Sequence, residues 1–442
     1  MRGIVSDANV GISLRDNAES LVLIIALWML GATPVPMDFR ANAAERTLLA
    51  REFDLAAIIE DRQIPASGYD HIFIDSSWSE VIATHEGSLI WPDERQAATA
   101  FISLTSGTTG RPKGFVIDHE RMLLRSMFDF SERLEGPLLN PLPLSFSASR
   151  THTFSALLEG SAVYFYPVLF SAQQLAETIL TGEVSSLCAV PTMIRNLFEL
   201  FGEFSTPAFP KLEALYCFGA PMAPAEKVRA KSSLCENFVQ VYGSTICGRI
   251  STLSGSDLET RANTVGRVLP HVVLQMVDAD DNVLPLGEAG AIRLRSPGMA
   301  RGIYGGAKSG SGDSFKGGWA YPGDIGTIDD DGFLHLCGRT SDLIIRGGVN
   351  VHPSEVEGII AQHEQVLEVA VVGFTKLPEG EDIAAFVVAS RNLTEGALRA
   401  YCYARLAPDK RPRKFVFVPN LPRNANGKII RAELRSRLEG SA

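Results

Sequence analysis

With 442 residues, the chain is long enough for two or more domains with substantial cores. Hydrophobic content of 45% and charged content of 21% mark it as globular rather than disordered, and a net charge of −10 argues against general nucleic-acid binding. Six scattered cysteines, with no C-x-x-C pair and no histidine cluster, indicate neither a zinc site nor a disulfide framework, which points to a reduced, cytoplasmic setting.

Residues 3–14 predict a short strand, and Asp16 and Asn17 a cap for the helix that follows. That helix holds a continuous apolar run, residues 21–30. The run is too short to span a bilayer, and Arg15, Asp16 and Glu19 precede it rather than a basic leader, so it reads as a buried helix. Pro34 and Pro36 predict an extended connection, residues 43–53 a second helix, and residues 55–59 and 71–74 core strands. This alternation predicts a layered α/β domain.

Next comes Leu104-Thr-Ser-Gly-Thr-Thr-Gly-Arg-Pro-Lys-Gly114, with apolar residues on both sides: two short strands joined by a loop of glycines and hydroxyls. Gly107, Gly110 and Gly114 allow tight bends and close approach to a ligand. Thr105, Ser106, Thr108 and Thr109 supply hydroxyls, Lys113 a positive charge, and backbone N–H groups an anion-binding nest, so the natural ligand is a polyphosphate. The spacing is not that of a Walker loop, because Lys113 is followed by glycine and a strand-like run rather than by Ser or Thr and a helix.

The loop resembles the phosphate-binding signature of the adenylate-forming (AMP-binding) superfamily, which includes acyl- and aryl-CoA synthetases, adenylation domains and luciferases. The resemblance covers nearly the whole chain, with the motifs in the family's order, although the family's pattern is entered late. It implies ATP phosphate contacts from Thr105, Ser106, Gly107, Thr108, Thr109, Gly110 and Lys113. After a helix over residues 120–132, Ser145 and Phe146 fall where relatives line the acid pocket, with Arg150 and His152 close by. Arg150 suits a second substrate carboxylate, although a solvated arginine at a helix start is the commoner case, and His152 reads as an ordinary helix residue. The strand-and-turn at residues 215–221 matches the family's adenine-packing turn at Gly219, Ala220 and Pro221, with Cys217 beside the pocket. Val239-Gln-Val-Tyr-Gly-Ser-Thr-Ile resembles the family's Tyr-Gly-x-Thr-Glu, which implies Tyr242 and Gly243 at adenine and Thr245 at the α-phosphate. The family's metal-holding glutamate is Ile246 here, which has no oxygen to offer Mg²⁺.

Residues 263–298 resemble the lead-in to a β-rich region, and residues 308–318, rich in Gly, Ser and Lys, read as a mobile loop. Gly318-Trp-Ala-Tyr-Pro-Gly-Asp resembles Gly-Trp-x-x-Thr-Gly-Asp, which implies Asp324 on the ribose hydroxyls. Asp329-Asp-Asp-Gly predicts a hairpin. In the segment from Gly338, Arg339 would reach ribose or phosphate and Ser341 falls at the family's hinge, while Gly347-Gly348 favours the CoA synthetases. Strands follow at residues 366–374 and 383–389. Near the end, Pro422-Arg-Asn-Ala-Asn-Gly-Lys resembles the motif that carries the catalytic lysine, here Lys428. Residues 409–437 hold nine Lys/Arg against two Asp/Glu. Such a patch is often only a solvated face, but it also suits coenzyme A phosphates or an acidic carrier protein.

The expected fold is therefore α/β: a large multi-layer N-terminal region with parallel sheets plus a β-rich subdomain (1–340), and a small mobile α+β C-terminal domain (341–442). The expected function is an ATP-dependent carboxylic acid–thiol ligase that forms an acyl adenylate and then a thioester, with Mg²⁺ and with coenzyme A as thiol. Two alternatives stand beside it: a stand-alone enzyme loading a carrier protein in trans, and a non-catalytic adenylate-binding relative. No nucleic-acid partner and no membrane span are expected.

Overall fold

The computed structural model describes residues 4–62, 68–75, 77–84, 99–105, 112–129, 136–167, 170–202, 206–305, 314–376, 380–390, 392–423 and 429–439. It divides into two compact units, Met1–Val273 with Leu294–Pro322, and Leu274–Arg293 with Gly323–Ala442.

In the first unit, β1 (Asn9–Ser13) leads into α1 (Asn17–Met29), whose first turn is capped by the Asp16 carboxylate accepting from the Ala18 and Glu19 amides. The apolar run of α1 is not buried all round. Leu23, Ile24 and Leu27 face the core, whereas Val22 and Ile25 lie outward, because helical periodicity sends them to the opposite face. The segment containing Pro34 and Pro36 is a strand, β2 (Thr33–Pro36), rather than a bare connection. It pairs in parallel with β1 at the edge of a sheet ordered β2-β1-β3-β4, where a missing N–H is tolerated. The helix α2 (Ala43–Glu52) opens on a capping box made by Asn42 and Glu45. The strands β3 (Leu55–Glu60) and β4 (His71–Phe73) complete the parallel sheet, and a short α3 (Trp78–Ala83) follows.

The strands β5 (Thr99–Thr105) and β6 (Lys113–Asp118) pair antiparallel, with Thr105 opposite Lys113 at the mouth of the hairpin. The helix α4 (His119–Asp129) follows at once. A run of strands and helices then builds a seven-stranded sheet. Its members are β7 (Leu138–Asn140), α5 (Ser147–Leu158), β8 (Val163–Phe165), α6 (Ala172–Thr181), β9 (Ser186–Ala189), α7 (Pro191–Phe201), β10 (Ala214–Cys217), α8 (Pro224–Ser233), β11 (Phe238–Ser244), β12 (Gly248–Leu253), the short α9 (Asp257–Thr260) and β13 (Arg267–Val268). The order is β13-β12-β11-β10-β9-β7-β8, parallel from β11 to β8 and antiparallel at β12 and β13. The inner parallel strands β7, β9 and β10 are wholly buried, as expected for a sheet covered by crossover helices, whereas the edge strand β8 is not.

The chain passes into the second unit along β14 (Val273–Val277) and β15 (Gly290–Arg295), and returns for β16 (Gly302–Ile303), which pairs with β6, and for the hairpin of β17 (Phe315–Lys316) and β18 (Trp319–Ala320). In the second unit β19 (Asp324–Ile328) and β20 (Leu334–Arg339) form the expected hairpin, its turn held by the Asp329 carboxylate accepting from the Asp331 and Phe333 amides. The hairpin of β21 (Ile344–Arg346) and β22 (Val349–Val351) and the helix α10 (Pro353–Ile360) come next. The three-stranded sheet then comprises β23 (Val366–Lys376) antiparallel to β24 (Gly380–Ala389), with β25 (Lys414–Phe417) parallel to β24. α11 (Glu395–Arg405) and α12 (Arg431–Glu439) complete the unit, an α+β arrangement with one core cluster holding Val356 and Leu398 and another holding Leu434. Compactness thus groups residues 323–340 with the C-terminal part of the chain.

Among the described residues, no helix is long and apolar enough to cross a membrane.

Candidate functional site

Ser106, Gly107, Thr108, Thr109 and Gly110 of the glycine-rich loop lie outside the described residues, as do Lys428 and most of the 308–318 loop. The loop's two shoulders are described: Thr105 and Lys113 are register partners at the loop end of the β5–β6 hairpin, both half-buried. Gly114 has a structural reason of its own, beside any ligand. A Cβ at this position would lie 2.4 Å from Phe53 Cε1 and 2.6 Å from Ile102 Cγ2, so packing of the hairpin on the core demands glycine.

Two turns at the C-terminal ends of adjacent parallel strands come together in the first unit. Beyond β10 lie Gly219, Ala220 and Pro221. Beside them, β11 carries Tyr242 and Gly243 and runs into the turn with Thr245 and Ile246, and the register pairs Cys217 with Gln240. Ligands of open α/β sheets bind at this end of the strands. Gly219 adopts φ +98°, and a Cβ there would sit 3.1 Å from Phe146 Cζ, which brings this turn against Phe146, one of the two neighbouring residues expected at the acid pocket. Phe146 also meets Phe218 at 5.7 Å, and His152 stacks on Phe218 at 5.0 Å. Ser145 precedes Phe146, half-buried, with its carbonyl accepting from Arg150. Cys217 is apart from this cluster. Alternation along β10 places Tyr216 with Phe146 and Phe218, whereas the Cys217 thiol lies 3.5 Å from the Met222 sulfur and burial raises its pKa.

Arg150 is a buried residue and not a solvated one. Its guanidinium donates to the carbonyls of Leu144 (2.5 Å) and Ser145 (3.0 Å) and to Ser103 Oγ (2.5 Å), and it stacks over Phe101. Burial and the neighbouring Arg125 push its pKa down to about 9. Its donors are spent on structure rather than held out for a substrate carboxylate. His152 Nδ1 donates to Ala148 O, an ordinary i−4 contact within α5.

In the second unit, Asp324 and Arg339 face one another across the β19–β20 hairpin, with Arg339 Nε donating to Asp324 Oδ1 at 2.9 Å. Thr340 doubles back to the Gly323 carbonyl by both its amide and its hydroxyl. Ser341 is exposed, its neighbour Asp342 lies within 3.6 Å of Arg431 and 3.4 Å of Arg435, and the Arg435 guanidinium donates to the Ser341 carbonyl. The basic tail is largely neutralised. Lys410, Arg413, Arg423, Arg431, Arg435 and Arg437 pair with Glu355, Asp382, Glu368, Glu357, Asp342 and Glu433.

Among the described residues, three buried cations escape a reading of the sequence: Arg46, which pairs with the equally buried Glu60, Lys227 and Arg125. Lys227 donates to the Thr264 carbonyl at 2.8 Å, and burial pushes its pKa down to about 8. Arg125 lies inside α4, with its donors on the Thr245 turn. The one local signal for Arg125 is its place three residues from both Met122 and Phe128, in an apolar stripe.

Position 246 offers Mg²⁺ no oxygen from its side chain, and among the described residues no group of three or more His, Cys, Asp or Glu side chains could hold a metal. The described protein groups therefore do not build a metal site here, and the ion's natural ligands are the phosphates of ATP.

The model of AMP-binding enzymes matches residues 1–304, and that of the AMP-binding enzyme C-terminal domain matches residues 355–428. A 2-succinylbenzoate–CoA ligase from Bacillus cereus is 29% identical over 446 residues, covering 99% of this chain and 90% of that protein. The o-succinylbenzoate CoA synthetase (MenE) of Bacillus subtilis, in complex with the acyl-adenylate intermediate OSB-AMP, superposes with a TM-score of 0.85 at 26% identity, over 98% of this chain and 89% of that one. The same enzyme has been solved with ATP and magnesium. ATP-bound MatB from Rhodopseudomonas palustris shares the fold, with a TM-score of 0.89 at 23% identity over 99% of this chain and 90% of that one.

Proposed function

The chain belongs to the AMP-binding enzyme family and is an ATP-dependent carboxylic acid–thiol ligase that works through an acyl adenylate, and we propose that its acid is a small aryl carboxylate, as in the 2-succinylbenzoate ligases, and its thiol coenzyme A. The observation that carries this reading is the meeting, in one unit, of the Gly219 turn, the Tyr242–Thr245 segment and Phe146. A flat acid beside Phe146 would lie next to the nucleotide-binding turns. ATP, Mg²⁺ and coenzyme A are the cofactors and co-substrates of these ligases. Mg²⁺ supplies charge neutralisation on the phosphates.

The first half-reaction joins two anions, a carboxylate and the α-phosphate, so fixed positive charge and donors must meet the charge that develops. We assign Lys113 and the hydroxyls of the glycine-rich loop to the β- and γ-phosphates, Thr245 to the α-phosphate and Tyr242 to the adenine face. Asp324 is assigned to the ribose hydroxyls, oriented by its bond from Arg339. Lys428 is the proposed catalytic residue, bridging carboxylate and α-phosphate. In the second half-reaction the thiol displaces AMP, after the C-terminal domain (341–442) turns about Ser341. Six free cysteines suit a cytoplasmic setting.

Hydroxamate trapping with ATP, Mg²⁺ and a panel of acids tests the reading. 2-Succinylbenzoate, benzoates, malonate and medium-chain fatty acids are the panel. Signal confined to aryl acids, followed by AMP release on adding coenzyme A, is expected. Signal from aliphatic acids alone refutes the aryl assignment, and release only with a holo-carrier protein refutes coenzyme A.

A further inference from the structure

The helix α4 is inside out for a surface helix. Arg125 is 7% exposed, whereas Leu123 and Met127 on the same helix are 40% and 60% exposed. A guanidinium is not drawn into a protein interior by desolvation, which opposes it, so its place must be secured by what it bonds. Arg125 Nε donates to the Gly298 carbonyl at 2.6 Å, and Nη2 donates to the carbonyls of Thr245 at 3.1 Å and Ile246 at 2.9 Å. One planar fork thus holds two consecutive carbonyls of the turn and a third from a segment far along the chain. That segment grips the turn again, since the Ala300 amide donates to Ile246 O at 2.7 Å and Ser296 Oγ to Cys247 O at 3.0 Å.

The surroundings are shaped for the arginine. A Cβ on Gly298 would stand 2.5 Å from Arg125 Cγ, and one on Gly248, held at φ +77°, 3.3 Å from the same atom. Both positions facing the side chain are glycine. Nearby, Arg150 performs the parallel task for Ser103 in β5 and for Leu144 and Ser145, and it lines the same small cavity between α4, α5 and β5.

We infer that Arg125 is a positioning residue for adenylation: by holding the carbonyls of Thr245 and Ile246 inward, it fixes the turn from which the Thr245 hydroxyl meets the α-phosphate. In a turn that lacks a carboxylate at residue 246 to anchor through metal, the backbone is anchored from beneath by a fixed cation. The inference rests on the assignment of Thr245 to the α-phosphate.

The test is ATP–pyrophosphate exchange by the full chain, comparing Arg125→Met, Arg125→Lys, Thr245→Val and the Arg125→Met/Thr245→Val double variant. Exchange by the unaltered protein and its loss in Thr245→Val stand as the separate check on the parent assignment; absence of either removes that assignment and this inference with it. Arg125→Met is expected to lower kcat by about 100-fold, the scale of a misplaced contact, with KM for the acid unchanged. Arg125→Lys is expected to recover part of the loss, and the double variant to be no slower than the slower single one, because both act through one contact. Losses that multiply in the double variant, or wild-type kcat in Arg125→Met, overturn the inference. Should Arg125→Met fail to fold, Gly298→Ala presses on the same side chain from the opposite side. The same fall in kcat is then expected, and wild-type kcat in folded Gly298→Ala overturns the inference.

Discussion

Gly114 closes the glycine-rich signature, and the structure gives it a reason independent of any ligand. Replacing it with alanine puts a methyl 2.4 Å from Phe53 Cε1 and 2.6 Å from Ile102 Cγ2, where carbon atoms prefer about 3.5–4.0 Å. Phe53 and Ile102 are 3% and 1% exposed and pack with Val35, so neither has free space into which to retreat. Overpacking of this kind costs about 1–3 kcal/mol. Phe53→Leu removes the offending ring edge and by itself leaves a void costing about 1 kcal/mol. The added methyl fills that void, so the Gly114→Ala/Phe53→Leu variant should be more stable than the sum of the single changes by about 1 kcal/mol or more. Urea unfolding gives the midpoints and slopes, and calorimetric titration of the folded variants gives the ATP dissociation constant, which should not move. A Gly114→Ala protein as stable as the parent but unable to bind ATP would refute the packing argument and return Gly114 to the ligand.

Three further outcomes are expected. Lys428→Ala should abolish hydroxamate formation while still releasing AMP from supplied acyl adenylate when coenzyme A is added; full adenylation by the variant would remove Lys428 from its assigned role. Ile246→Glu should move the Mg²⁺ titration of pyrophosphate exchange to lower concentration, and an unchanged titration would show that residue 246 does not meet the metal. Lys227, with its pKa pushed to about 8 against 10.5 unfolded, binds fewer protons folded than unfolded between those values, so its contribution to stability rises with pH across that window. Comparing urea unfolding of the parent and Lys227→Met from pH 7.5 to 10, the parent should gain about 2–3 kcal/mol relative to the variant; a constant gap would refute the buried-lysine account.

What the sequence made legible was local. The strands β5 and β6, the strand and turn at residues 215–221 and the Asp329 hairpin are each signalled by residues close in sequence, and each is present as the strand or turn expected there. What stayed hidden was decided by distant partners. Arg125 is buried because Gly298, Thr245 and Ile246 come to it, and Arg150 because Ser103 does. Neither partner set is within reach of helical periodicity, which reads an arginine as surface. Pro34 and Pro36 signalled extension correctly but not pairing, since only the strand order shows that they occupy a sheet edge. The apolar run in α1 signalled a helix but not its outward face.

The distribution of charge bears on the choice of thiol. Counted along the chain, the tail looks like an attractor for acidic surfaces; in the folded second unit, Glu355, Glu357, Glu368, Asp342 and Asp382 pair with five of its cations from elsewhere in the sequence. Arg411 donates to the carbonyls of Leu406 and Tyr403, Lys414 stands over the Phe374 ring, and Arg405 stacks on Tyr401 at 3.9 Å. Long-range steering of a folded carrier needs a surplus of one sign over a broad face. Coenzyme A carries its own phosphates and needs only a few donors at close range. Among the described residues, a tail whose cations are mostly paired with carboxylates offers a folded carrier less surplus charge than the sequence count suggests, which favours the small thiol on physical grounds independent of the double-glycine motif.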